Sequence, residues 1–214
     1  LDEFQEITRL GADVLKPMRS AITRQEDVVY LFLGSQESLL RDLFVKKDEP
    51  FYRFAVEWNL PPVSTADWEE YLARKYGSLG VMVDPVALRH VVETSGGHPL
   101  DTMLLANEVL HLARETGSAS VSLDLVRVAF ERTMVALTLA FEETWRTLGL
   151  SAQRSLKKIV RRESLYAGEP RSHPTDVKRG LEDLLGRGIL LRVGKGRYLF
   201  QERMFEEYIR RLLN

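Results

Sequence analysis

Residues 28–33 read VVYLFL, six apolar residues in a row closed by Gly34-Ser35-Gln36. A run of that length ending in a turn signal predicts a strand buried on both faces. Such strands belong to parallel sheets covered by helices on either side, so an α/β core is expected over this part of the chain. Around it the pattern is mostly helical, with helices expected over 13–25 and 38–44 and a further strand over 52–58, stopped by Leu60-Pro61-Pro62. Ser64 with Asp67 predicts an N-cap for a helix to about Tyr76. Asp84-Pro85 and Gly96-Gly97 bracket the next helix, and Pro99 starts one to about Thr116. Ser122 caps a longer helix whose apolar positions are Leu125, Val128, Ala129, Met134, Leu137 and Phe141. No strand is expected in this middle stretch.

The last 64 residues change character. Residues 1–150 hold 15 Lys+Arg against 23 Asp+Glu, a net −8, whereas residues 151–214 hold 15 against 8, a net +7. A basic helix capped by Ser151 is followed by a loop with Gly168, Pro170 and Pro174, then by an amphipathic helix over 175–187. Residues 189–193 and 197–200 flank Gly194-Lys195-Gly196, a hairpin signature, and 203–212 read as a closing helix. Helix, helix, two-stranded wing and helix is the winged-helix order.

With 44% hydrophobic residues in 214, the chain can bury one large core or two modest ones. A soluble globular protein is expected: no apolar run reaches the roughly 18 residues of a membrane span, and no basic leader opens the chain. Zero cysteines exclude disulfides and thiolate metal sites. The four histidines are scattered, and His90 and His111 fall on predicted helices without a partner at i+4, which argues against a zinc centre. A reducing cytoplasm fits this composition.

The opening LDEFQEITRL places Asp2 and Glu3 directly after one apolar residue. In phosphate-handling NTPases a buried strand ends in Asp-Glu, one carboxylate facing magnesium and its water shell, the next facing the attacking water. The alternative is a solvated helix start. Asp-Glu, a helix, an apolar strand ending in Gly-Ser-Gln, then EPFYRF with NLPP, then GGHP opening a helix, then a winged helix: in this order the motifs resemble the AAA+/STAND ATPases, specifically the archaeal-type ATPase family with its DEFQE-like Walker B segment. The resemblance covers nearly the whole chain. It implies a mainly α fold with some β: a partial α/β P-loop NTPase core over 1–62, a helical lid over 63–149 and a winged-helix domain over 150–214.

By the same resemblance, Asp2 would hold Mg through water and Glu3 would orient the attacking water as general base. Ser35 matches the polar sensor between Walker B and the γ-phosphate, with Gln36 its neighbour; an N-cap role for Ser35 is the alternative. His98-Pro99 resembles the GxP motif of STAND lids, placed near nucleotide, against an ordinary loop-to-helix junction. Arg19, Arg24 and Arg41 are arginine-finger candidates, although each reads first as a surface arginine. Phe51, Tyr52 and Phe54 suit a core more than a base-stacking platform, and Trp58, Trp68 and Trp145 read as packing. Lys178, Arg179, Lys195 and Arg197 are candidates for nucleic-acid contact, although Asp176, Glu182 and Asp183 offset the first two.

No GxxxxGK[ST] phosphate-binding loop occurs in the sequence, and Gly194-Lys195-Gly196 holds its only Gly-Lys pair. The chain alone is therefore not expected to hydrolyse ATP. The expectation is the C-terminal part of an ATP- and Mg-using ATPase acting as a nucleotide-dependent switch, its winged helix touching duplex DNA or a protein, with oligomerisation possible and no membrane contact. The alternatives are a DNA-binding winged-helix regulator and a non-catalytic interaction module.

Overall fold

Local capping sets the helices of the middle of the chain. In the computed structural model, which describes residues 1–34, 37–58, 60, 62–166 and 174–213, with backbone only at 12, 37, 38 and 174, Ser64 Oγ accepts from the Asp67 amide at 3.1 Å and opens α3 (Thr65–Ser78). Asp84 does the same for α4 (Pro85–Ser95), accepting from Val86 N at 2.8 Å, and Ser122 for α6 (Leu123–Thr147) at 3.3 Å. Between them lies α5 (Pro99–Glu115). Each cap satisfies an amide that the first helical turn leaves without a partner. Gly96 ends α4 at φ 70°, a conformation open to glycine at no steric cost.

The chain forms two compact units, Leu1–Leu60 with Asp183–Ile189, and Pro61–Glu182 with Leu190–Asn214. The first unit holds a 3-10 segment (Phe4–Leu10), α1 (Ala12–Thr23) and α2 (Glu37–Val45) around an aromatic core. Phe4 and Phe51 lie edge to face at 5.3 Å between centroids, Phe4 and Phe32 at 4.5 Å, and Phe32 and Phe44 at 5.3 Å. Phe51 is fully buried and Phe54 packs beside it, as the core reading of these two residues expected.

Three expectations for this unit fail. Residues 28–33 form no assigned strand and are not buried on both faces: Tyr30 and Phe32 lie on the aromatic core, while Val29 and Leu31 are 90% and 66% exposed. A strand is defined by partners, and among the described residues this segment is paired only at residues 31–33, by the opening residues. The Leu1 amino group donates to Leu31 O at 2.7 Å and Leu33 N donates to Leu1 O at 2.8 Å, the slanted pattern of a parallel pair. The strand expected over 52–58 is a series of turns instead. Tyr52 N donates to Glu49 O, Phe54 N to Phe51 O, and Arg53, at φ 54°, donates to Phe44 O at 2.9 Å. Burying Phe51 and packing Phe54 on the same core needs a spacing of three, which a period-two strand does not supply. Trp58 is 83% exposed, so its packing reading fails too, while Trp68 is buried and donates to Gly97 O at 2.8 Å.

In the second unit a short parallel pair, unforeseen in the sequence, joins β1 (Met82–Val83) to β2 (Ser120–Val121). The C-terminal elements come in the expected order: α7 (Leu150–Val160), α8 (Pro174–Gly186), a hairpin of β3 (Leu190–Gly194) and β4 (Arg197–Phe200), and α9 (Arg203–Leu212). Gly149, not Ser151, occupies the N-cap of α7. Gly180 lets α8 cross α7 closely, since a Cβ there would fall 2.7 Å from the Ser151 carbonyl carbon. Phe141 of α6 meets Phe205 and Tyr208 of α9 at 5.3 and 5.6 Å, and Arg211 of α9 clamps Glu131 of α6 through two bonds of 2.7 and 2.8 Å. No helix among the described residues is long and apolar enough to cross a membrane.

Candidate functional site

Phe4, anchored in the aromatic core, donates its backbone N–H to Leu33 O at 2.8 Å, so the opening runs beside residues 31–33. That pairing carries Asp2 and Glu3 to the end of the 28–33 segment, where Gly34 follows. Both residues are exposed, and the chain turns sharply between them and the core because Glu3 adopts the left-handed conformation, φ 46° and ψ 43°. Left-handed backbone is strained for a residue with a Cβ and gathers at functional sites. The solvated-helix alternative is met in part, since a 3-10 segment does begin at Phe4, but Glu3 supplies no side-chain cap to it. The Glu3 carboxylate accepts from the side-chain amide of Gln5 instead. Ser35 and Gln36 lie outside the described residues.

The arginine-finger candidates part company. Arg19 donates to Pro50 O and its guanidinium lies over the Phe54 ring at 5.4 Å, which makes it part of the aromatic core's rim. Arg24 bonds its own helix at Ser20 O, 3.1 Å, and Arg41 is exposed on α2.

The second cluster lies at the start of α5, in the other unit. His98 is the N-cap and Pro99 the first helical residue, the position where a missing N–H costs nothing. His98 Nδ1 faces Asp101 Oδ1 at 3.8 Å, an ion-pair distance, with no hydrogen-bond partner among the described residues. Asp101 is 1% exposed and its other oxygen accepts from Met204 N at 3.4 Å, in the first turn of α9. Gly96 sits against Arg203, where a Cβ would fall 3.0 Å from the Arg203 Cβ. The SGGHPLD loop is thus the seat of the α9 N-terminus, whose dipole favours the Asp101 carboxylate. Beside it Ser95 Oγ and Thr102 Oγ1 share a buried hydrogen bond of 2.8 Å. Asp101 escaped the sequence reading although it stands three residues after His98, because its partner is a backbone amide about a hundred residues away.

Contact with Asp101 holds the His98 imidazole above its ordinary value, the charges of Asp101 and Glu202 adding to this against burial. Burial, then the charge of Asp101, pushes the Glu202 carboxyl up as well. A raised folded-state value contributes stability that is complete at low pH and lost as pH rises through it. Urea resistance of the second unit is therefore expected to fall as pH rises through and above the ordinary histidine value of about 6.5. His98→Gln should flatten that fall; a rise with pH would contradict the arrangement.

On the basic C-terminal part, Lys178 and Arg179 are exposed on α8, where Lys178 pairs with Glu182 at 3.7 Å and Arg187 with Asp183 at 2.8 Å. Lys195 and Arg197 are exposed on the hairpin, as are Leu191, Val193 and Leu199. A cavity of about 210 Å³ lies between α7 and α8, lined by Ser151, Arg154, Ser155 and Asp176 among others. No group of three or more His, Asp or Glu side chains that could hold a metal occurs among the described residues.

No protein-family model matches the sequence, and no curated protein matches it. Solved structures do. The chain is similar to a Walker-type ATPase of Pyrococcus abyssi with a TM-score of 0.72 and 19% identity, over 98% of this chain and 61% of that one. It is similar to the ORC2 protein of Aeropyrum pernix, solved in ADPNP–ADP complexes, with a TM-score of 0.58 and 17% identity, over 100% of this chain and 64% of that one. For the Holliday junction branch migration motor RuvB of Thermotoga maritima the TM-score is 0.49 at 20% identity, over 96% of this chain and 67% of that one. The first two likenesses establish the fold: mainly helical with few strands, of the P-loop ATPase kind. The chain spans less than two thirds of the length of those two proteins.

Proposed function

We propose that this chain is the Walker B, lid and winged-helix part of an ATP-binding ATPase of the AAA+/STAND kind, working as a nucleotide-dependent switch. The observation that carries the reading is the pairing of Leu1 with Leu31 and Leu33, which sets Asp2 and Glu3 at the carboxyl end of two parallel segments. Ligands of α/β sheets bind at that end. The exposed apolar face of Val29, Leu31 and Leu33 supports it further, since a parallel sheet covers such a face with more of the same protein.

Asp2 fits the part of a magnesium-side carboxylate. It is exposed, and Mg²⁺ keeps several waters while using one or two carboxylates and the phosphates of its nucleotide. Bound there, the ion would neutralise charge on the phosphoryl oxygens. Glu3 orients the attacking water and takes its proton; Ser35 or Gln36, following Gly34, is the polar sensor; His98 and Pro99 are the nucleotide-binding residues of the lid. A displacement of His98 then reaches α9 through Asp101 and Met204, which is how nucleotide state passes to the winged helix. In this reading the protein is cytoplasmic and a neighbouring subunit can supply an arginine finger. The test is steady-state ATP hydrolysis. The 214 residues alone should show none, and a version extended upstream through a GxxxxGK[ST] loop should turn over; an inactive extended version contradicts the reading.

A second reading, contact with duplex DNA through the wing, is favoured by the exposed Lys195 and Arg197. Replacing both by alanine should weaken duplex binding for any sequence and reduce the log–log salt slope by about 2, at roughly 0.9 for each phosphate that is no longer neutralised. An unchanged slope would favour a protein partner on Leu191, Val193 and Leu199, which share the hairpin.

A further inference from the structure

Gln5 stands two residues after Glu3 and is 1% exposed, one of the few buried polar residues of the chain. The left-handed turn at Glu3 and the tight 3-10 segment after it bring the Gln5 side chain back beneath the acidic pair. Its Nε2 donates to Glu3 Oε2. Its Oε1 is buried without a hydrogen-bond partner among the described residues and lies so close against Gly34 that a Cβ there would clash with it. Glycine at 34 is thus what lets the amide fill this position, at the point where the 28–33 segment ends.

A buried amide oxygen without a donor is unfavourable, and packing alone would be served as well by an apolar side chain of the same length. What an apolar residue could not do is hold the Glu3 carboxylate. We propose that Gln5 is a positioning residue for Glu3: its amide fixes the general base in one rotamer, at the end of the paired segments, before nucleotide arrives. The proposal rests on the ATPase reading of Asp2 and Glu3. Gln5 touches no reacting atom itself.

The test is Gln5→Met, which keeps the length and the packing and removes both the donor and the unpartnered oxygen. In the full-length protein, kcat for ATP should fall about 10-fold to 100-fold with KM unchanged, as expected when a reacting group loses its alignment. The melting temperature should be equal or higher. Adding Gln5→Met to Glu3→Gln should cause no further loss of kcat, because the amide acts through the carboxylate. A kcat loss that tracks a drop in melting temperature, or that persists undiminished in the Glu3→Gln background, overturns the proposal in favour of a packing role. An unchanged kcat in a protein whose wild type hydrolyses ATP overturns it while sparing the ATPase reading. A wild type that does not hydrolyse ATP removes both.

Discussion

Phe51→Ala is expected to unfold the first unit while the second stays folded. The ring is 0% exposed and meets four others, Phe4 at 5.3 Å, Phe54 at 5.4 Å, Phe32 at 5.9 Å and Phe44 at 6.0 Å. Truncating a buried Phe costs about 3–5 kcal/mol through lost transfer energy and the cavity left behind. Aromatic edge contacts add about 0.5–1.5 kcal/mol each to what burial alone gives. A unit of this size buries a smaller share of its surface than a larger domain, and a loss of that order takes most of its stability. Hydrogen exchange is the direct check. Amides of α1 and the 3-10 segment should lose protection in the variant, whereas those of α5 and α6 keep theirs. Uniform loss across the chain, or a cost under about 1 kcal/mol, contradicts the division into two units with separate cores.

Glu3→Gln, in a version of the protein carrying the phosphate-binding loop, is expected to lower kcat by about 10²–10⁴-fold, the contribution of a positioned general base. Binding should survive. The substitution keeps the shape of the side chain and removes the proton acceptor, so KM and the affinity for a non-hydrolysable analogue change little. The left-handed backbone at Glu3 also makes the outcome specific to the side chain, since both residues accept the same strain. A variant that retains more than about a tenth of wild-type kcat would show that water is activated elsewhere and that Glu3 is only the residue before the 3-10 segment.

What the sequence made legible was local. Ser64, Asp84 and Ser122 cap helices because a side chain and an amide two or three residues away are enough to form the bond. Gly194-Lys195-Gly196 marks its hairpin for the same reason, and β4 and α9 fall at the expected residues. The 28–33 run was misjudged because burial on both faces is a property of neighbouring segments, and apolar composition alone cannot report which neighbours are present. Residues 52–58 show the converse. Their aromatics suggested a strand, but Phe51 and Phe54 share one core and the backbone turns to let them. β1 and β2 are two residues each, too short for any period to register.

The candidate site divides along the same line. Asp2, Glu3, His98 and Pro99 stood out as motif residues, whereas Gln5, Asp101 and Glu202 take their importance from where the fold puts them. Gln5 was visible only as the fourth letter of the DEFQ run, and nothing local says that its amide is buried against Gly34. Asp101 looks like an ordinary first-turn carboxylate until α9 arrives to be capped.

The central claim is that Asp2 and Glu3 form the acidic end of a nucleotide site. It is tested most directly by titrating fluorescent ATP and ATPγS, with magnesium, into this chain and into the version extended upstream through the phosphate-binding loop. The account predicts binding by the extended version, loss of magnesium-dependent affinity in its Asp2→Asn variant, and no binding by the 214 residues alone. If the extended version does not bind, or binds equally well with Asp2→Asn, the opening pair is an exposed turn before a 3-10 segment and the account is wrong.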